Sequence, residues 1–262
     1  MPMEFAGFPF LSAILISCLA GFFIILCLPE TRAREIKWVG AVCSGMTLAL
    51  AIYLFFAYDK SRGGLQFVET IQWIPSLGIQ YFNAADGFNL PNLLLSGIVF
   101  FTGVLTMWEL ETRVKEFFAL YFLMVTGVFG LFMSMDLFFI FVWYDVSLFP
   151  MYPLIAIWGT TRKEYGAMKL TLYLLAGSAL ILPAILYLFV QSGLNTFDIV
   201  RLMQPGTFTA YQQKFAFILL YLGFGILAGV WPFHTWSPVG HVAAPHGVSM
   251  VHAGVLMKIG AF

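Results

Sequence analysis

The chain has 262 residues, 61% hydrophobic and 10% charged, with a mean hydropathy of +0.90, which excludes an ordinary soluble domain. Lys plus Arg equals Asp plus Glu, 13 against 13, so net charge gives no sign of a nucleic-acid partner and the placement of charge carries the information. The expected class is an all-α polytopic membrane protein whose surroundings are the lipid bilayer.

The first residues, MPMEF, hold no basic side chain ahead of the apolar run, so they lack the start of a cleaved signal peptide, and the first helix is expected to stay. Apolar stretches of about 20 residues, enough to cross a hydrocarbon core, cover 8–28, 39–57, 90–108, 117–135, 137–158, 170–190 and 215–230. Residues 248–262 begin another, for about eight transmembrane helices. The sequence stops inside that last run, so a longer gene product with further helices is expected.

Between the spans, loops one, three and five carry Arg32, Arg34, Lys37, Arg113, Lys115, Arg162, Lys163 and Lys169. The even loops carry Lys60, Arg62, Arg201 and Lys214. The excess places the odd loops on the cytoplasmic or matrix side and the N-terminus outside. Loop two, 58–89, is long and mixes polar, glycine and aromatic residues; it reads as an external cap with short strands near 65–73 and 78–82. Cys18, Cys27 and Cys43 show neither a CxxC nor a metal-ligand spacing and read as small buried hydrophobes.

Asp145 stands in the fifth span, nine residues after Asp136, hence ~13 Å into the bilayer. A carboxylate at that depth costs about 2.5–3.5 kcal/mol on insertion scales, so it should face a bundle interior, a cation or water. Pro150 and Pro153 free the carbonyls of Val146 and Phe149 and should bend the helix just past it. Two readings follow: a proton-carrying group, or a protonated acid that only hydrogen-bonds a neighbouring helix.

The seventh span comes apart. Gly229, Pro232, Pro238, Gly240 and Pro245 do not all fit one regular helix. A break at membrane depth needs protein or trapped water around the freed backbone groups. His234, His241, His246 and His252 all lie in or just after this stretch, at spacings that fit no metal motif. His234 and His241 either relay protons or satisfy orphaned carbonyls. Lys258, six residues past His252, either carries a proton in the apolar helix or snorkels to an interface. Gly225-xxx-Gly229 reads as a close-packing face.

Four ordered blocks, FVWYDVSLFPMYPLIAIWG, RKEYGAMKLTLYLLAGS, WPFHTWSPVGHVAAP and VHAGVLMKIGAF, resemble the antiporter-like membrane subunits of respiratory complex I (NADH:quinone oxidoreductase), most closely the M type. The resemblance covers nearly the whole chain. It implies the N-terminal half of a longer subunit: helices 1–3 with their external loop in 1–115, and an antiporter-like unit of helices 4–8, its seventh broken, in 116–262.

It also implies proton transfer by Asp145, where the family has a glutamate, by Lys258, which matches the eighth-helix lysine, and by His234 and His241. The position of the family's seventh-helix lysine is Leu227 here, so the acid lacks its usual cation. A modified route would run from Asp145 through water to His252 or Lys258; alternatively the half-channel does not pump.

The implied partners are L-, N- and K-type membrane-arm subunits. NADH, FMN, iron–sulfur clusters and quinone would sit on partner subunits and no cofactor on this chain, in keeping with its lack of a GxGxxG or cysteine cluster. The implied location is the inner (plasma) membrane of a bacterium rather than a mitochondrial or thylakoid membrane. Alternatives are a subunit of a multi-subunit cation/proton antiporter or membrane-bound hydrogenase arm, and a structural subunit.

Overall fold

Short connections between long apolar helices force neighbours to run antiparallel, and the computed structural model, which describes residues 4–5 and 8–262, has this arrangement. In chain order the spans begin with α1 (Phe10–Cys27), α2 (Ala33–Ala57), α3 (Asn89–Thr106) and α4 (Val114–Met133). The fifth span is divided into α5 (Leu137–Leu148) and α6 (Met151–Trp158), and α7 is Lys163–Ser192. A short α8 (Ile199–Leu202) precedes α9 (Ala210–Ala228), which breaks before α10 (Trp236–Ala243). The last span is α11 (His246–Val251), a π turn (His252–Leu256) and α12 (Met257–Ala261).

Among the described residues seven helical segments are long and apolar enough to cross a membrane, and α11 to α12 begin the eighth expected from the sequence. The chain is a multi-pass, all-α membrane protein.

The odd loops gather at one end. Trp158 donates its indole N–H to the Thr112 carbonyl at 2.8 Å, Thr160 N–H bonds the Ala243 carbonyl at 2.9 Å, and the Trp38 and Trp108 rings meet at 5.3 Å. Loop two forms a cap at the other end. There, β1 (Glu4–Phe5), β2 (Gln66–Ile74) and β3 (Ile79–Ala85) make an antiparallel sheet in the order β1-β2-β3, joined between β2 and β3 by a turn with Gly78 at φ +64°. The sheet is tied to the helices at several places, two of them central. Met135 N–H bonds the Phe82 carbonyl at 2.7 Å, and Glu69 reaches from β2 to the first turn of α1, accepting from the Leu11 and Ser12 amides at 2.9 Å each.

α4 is the central helix, with 83% of its apolar window buried, because α1, α3 and α5 pack round it. Gly21 lets α1 approach it: a Cβ there would lie 2.3 Å from the Phe122 ring. Since α1 lies along α4 and α3 along α11, residues 1–115 and 116–262 share one core. Outward faces carry Ile16, Phe23, Val42, Leu172 and Phe217, all exposed, as lipid contact requires.

Between α7 and α9 the close approach is made by Gly177 and Gly223, where an added Cβ would lie 2.9 Å from the opposing glycine's carbonyl oxygen in each case. The Gly225-xxx-Gly229 expectation is corrected accordingly. Gly225 meets only Val230 beyond 3.8 Å, and Gly229 ends α9 in the left-handed region at φ +71°.

Candidate functional site

Pro150 has no N–H to give the carbonyl of Val146, so the fifth span is interrupted after Leu148 and resumes at Met151. Asp145 lies in the last turn before the interruption, half-buried, and accepts a hydrogen bond from the Ser178 hydroxyl at 2.8 Å. Ser178 is midway along α7, between Lys163 and Ser192, so the carboxyl sits near mid-depth.

It faces a groove of about 560 Å³ shared with Leu148, Phe149, Tyr152, Pro153, Thr171 and Leu175. Thr171 is two turns from Ser178 on the same face of α7, and its buried hydroxyl has no hydrogen-bond partner. Among the described residues no basic side chain pairs with Asp145, and Leu227 on α9 is buried in the apolar core at 2% exposure.

The second interruption follows α9. The Gly229 amide bonds the Ile226 carbonyl at 3.1 Å and the Val230 amide the Gly225 carbonyl at 2.9 Å, a Schellman close of the helix. The Trp236 indole also donates to the Ile226 carbonyl, at 2.9 Å. Thr235, in the break, shares a hydrogen bond of 3.1 Å with the Tyr173 hydroxyl of α7. Pro238 falls in the first turn of α10, where its missing N–H costs nothing.

Within α10, His241 places Nδ1 3.1 Å from the Ser249 hydroxyl and its ring 4.1 Å from that of His252. His252 opens the π turn. It is fully buried, sandwiched between His241 and the Trp236 indole at 5.1 Å, and neither ring nitrogen has a partner. Gly240 makes room, because a Cβ there would lie 2.7 Å from Leu170 and 3.6 Å from His252 Cε1. Leu170 and Thr171 are consecutive on α7, so that helix is the wall between the histidine pair and the Asp145 groove.

The sequence-predicted residues therefore separate. Asp145 takes its place beside the first interruption, and His241 and His252 meet at the second. His234 and His246 are exposed and do not join them. Lys258 is also exposed, and its ammonium donates to the carbonyls of Gly254 at 2.5 Å and Ala253 at 3.4 Å. Those carbonyls belong to the π turn, whose widened bonding leaves acceptors that a lysine further along can cap. Ser178, Thr171 and Trp236 went unnoticed in the sequence. A tryptophan four residues past a helix-breaking proline was a faint sign, while a serine and a threonine in an apolar helix gave none.

Comparison with known proteins points the same way as the resemblance in the sequence. Residues 134–262 match the family model described as NADH:quinone oxidoreductase/Mrp antiporter, transmembrane. The chain is 34% identical over 262 residues to NAD(P)H-quinone oxidoreductase chain 4 2 of Microcystis aeruginosa, covering 98% of this chain and 47% of that relative. Over nearly its whole length the chain is similar to the antiporter-like membrane subunits of this family.

A relative of the same description from Trichodesmium erythraeum is 33% identical, with 97% and 46% covered. The chain thus spans about half the length of the curated relatives it matches. Among solved structures, a chain of respiratory complex I from Thermus thermophilus with bound NADH superposes with a TM-score of 0.81 at 26% identity, over 97% of this chain and 51% of that one. An Mrp complex chain from Dietzia sp. shares the fold alone, at 22% identity and a TM-score of 0.76 over 95% of this chain and 27% of that one.

Proposed function

We propose that this chain is a proton-translocating, antiporter-like part of a membrane subunit of an NAD(P)H- or NADH:quinone oxidoreductase, linking quinone reduction elsewhere to proton movement here. The observation that carries the reading is Asp145: a carboxyl at mid-depth, beside an interrupted helix, with one hydroxyl donor and no cation among the described residues. A carboxyl so placed exchanges its proton whenever water or a positive charge approaches, because burial disfavours the charged form and a nearby cation favours it.

Ser178 orients it, and Thr171 lines the same groove. His241 and His252 form the second station at the α9 break, where imidazole has the right intrinsic basicity. Lys258 and His234 serve at exposed faces. Partners of L, N and K type would surround the chain. NADH, FMN, iron–sulfur clusters and quinone would be held by other subunits, with no redox site on this chain. The odd loops would face the cytoplasm of a bacterial cell across its inner membrane.

Leu227 favours a second reading, a non-pumping structural subunit, because the buried position that would modulate the acid carries no charge. The readings are separated in membrane vesicles holding the complete gene product and its complex. NADH-driven quinone reduction accompanied by proton uptake supports the first. Quinone reduction whose proton yield is unmoved by Asp145→Asn supports the second, and Na⁺/H⁺ exchange without quinone reduction contradicts both.

A further inference from the structure

At the cap end two aspartates, Asp136 and Asp198, lie directly opposite each other across an antiparallel bridge. Asp136 is the N-cap of α5, with Oδ1 accepting from the Phe138 and Phe139 amides at 3.0 and 3.2 Å and Oδ2 from the Gln80 amide of β3 at 3.2 Å. Asp198 caps α8 in the same way, accepting from the Val200 and Arg201 amides at 2.8 and 3.3 Å. Its other oxygen takes the Gln80 side-chain amide at 3.2 Å and Arg201 Nε at 3.3 Å.

The two backbones pair antiparallel here, through Leu137 N–H to the Phe197 carbonyl and Ile199 N–H to the Met135 carbonyl, at 3.0 Å each. In that pattern the opposed residues form the narrow pair, with side chains close together on one side. Asp136 is 0% exposed and Asp198 6%. Like charges directly opposite across a ladder repel.

The other groups facing the pair are Gln80 of β3 and the Ser134 hydroxyl, both neutral, and Arg201, which lies on Asp198 with its own side chain 70% exposed.

We propose that Asp136, opposite Asp198, forms a pH-responsive clasp, closed while Asp136 holds its proton and loosened when it ionises, joining β3 and α8 to the outer end of α5. Since α5 carries Asp145 nine residues on, the clasp lets the pH at the cap end bear on the helix of the mid-depth acid. Burial first, and the charge of Asp198 after it, push Asp136 up to about 6 in spite of its three amide donors. A carboxyl raised in this way binds its proton more tightly in the closed form. Its contribution is full at low pH and is lost as pH rises through about 6. The inference rests on local geometry and stands or falls apart from the proton-transfer reading.

The test is hydrogen exchange on the complete gene product in lipid nanodiscs, corrected for intrinsic rates, at the amides of Phe138, Phe139 and Val200. Protection is expected to fall about tenfold between about pH 5 and about pH 7.5, the fall being nearly complete at about 6. Asp136→Asn should flatten that curve. Asp198→Asn, which removes the opposing charge and keeps Asp136, should move the fall to lower pH, and it carries the test if Asp136→Asn does not fold. Protection that is flat or rises with pH in the unaltered protein, or a fall unmoved by Asp198→Asn, overturns the proposal.

Discussion

Replacing Glu69 with Ala should uncouple α1 from the cap sheet. Glu69 is 2% exposed and supplies in trans the N-terminal cap that α1 lacks locally, since Pro9 offers no side-chain acceptor. The change strips partners from the Leu11 and Ser12 amides, and from the Ser12 hydroxyl, which also meets the Tyr81 hydroxyl at 2.8 Å. Leaving a buried amide unpaired costs about 1–3 kcal/mol, and losing an anion at a helix N-terminus about 0.3–1 kcal/mol. With Ser12 partly reached by water, the sum is about 3 kcal/mol. Glu69→Gln keeps one acceptor oxygen and should cost about 1 kcal/mol.

Burial, outweighing three hydrogen bonds, raises the Glu69 carboxyl above the ordinary glutamate value. The acid is therefore protonated more readily in the folded form. Stability from this group is highest below the ordinary value and declines as pH rises through the raised one, a slope that Glu69→Gln should remove. The assay is amide exchange at Leu11 and Ser12 in nanodiscs, with the unfolding midpoint as a second reading. If Glu69→Ala leaves both amides as protected as before, the trans cap is wrong.

Gly127→Val should separate α4 from α5, because even a Cβ there would lie 2.5 Å from the Ser147 amide nitrogen; the expected cost is about 3 kcal/mol, visible as a lowered yield of folded protein. Trp236→Phe keeps the stacking on His252 but leaves the Ile226 carbonyl with the Gly229 amide alone, so a loss of about 1 kcal/mol is expected in thermal unfolding, and no change would deny the indole its role at the break. Leu227→Lys restores a cation to the apolar core and should change the proton yield per electron, and an identical yield would make the missing lysine irrelevant.

The spans were legible because lipid demands long apolar runs, and the break because a cluster of prolines and glycines between 229 and 245 has no helical solution. Asp145 announced itself as a charge in an apolar run. What stayed hidden depends on rotation about helix axes. The π turn at His252–Leu256 shifts the register by which Lys258 would be placed, so its ammonium folds back onto Gly254 and its face is exposed. His234 lies in the irregular stretch after α9, where no periodicity assigns a direction, and it points outward. The meeting of His241 with His252 needs the chain to reverse at Ala244–Pro245, which fixes the lateral contact only in three dimensions. The Asp136–Asp198 pair joins residues far apart in sequence, each of which reads locally as an ordinary helix cap.

The account turns on whether the carboxyl of Asp145 passes protons. The proton-to-electron ratio of the complete complex in sealed vesicles, compared between the unaltered protein, Asp145→Asn and Asp145→Glu, tests this most directly. The account predicts a lowered ratio for the amide and recovery for the longer acid, with quinone reduction itself able to proceed in all three. An unchanged ratio for Asp145→Asn in a correctly assembled complex would contradict it.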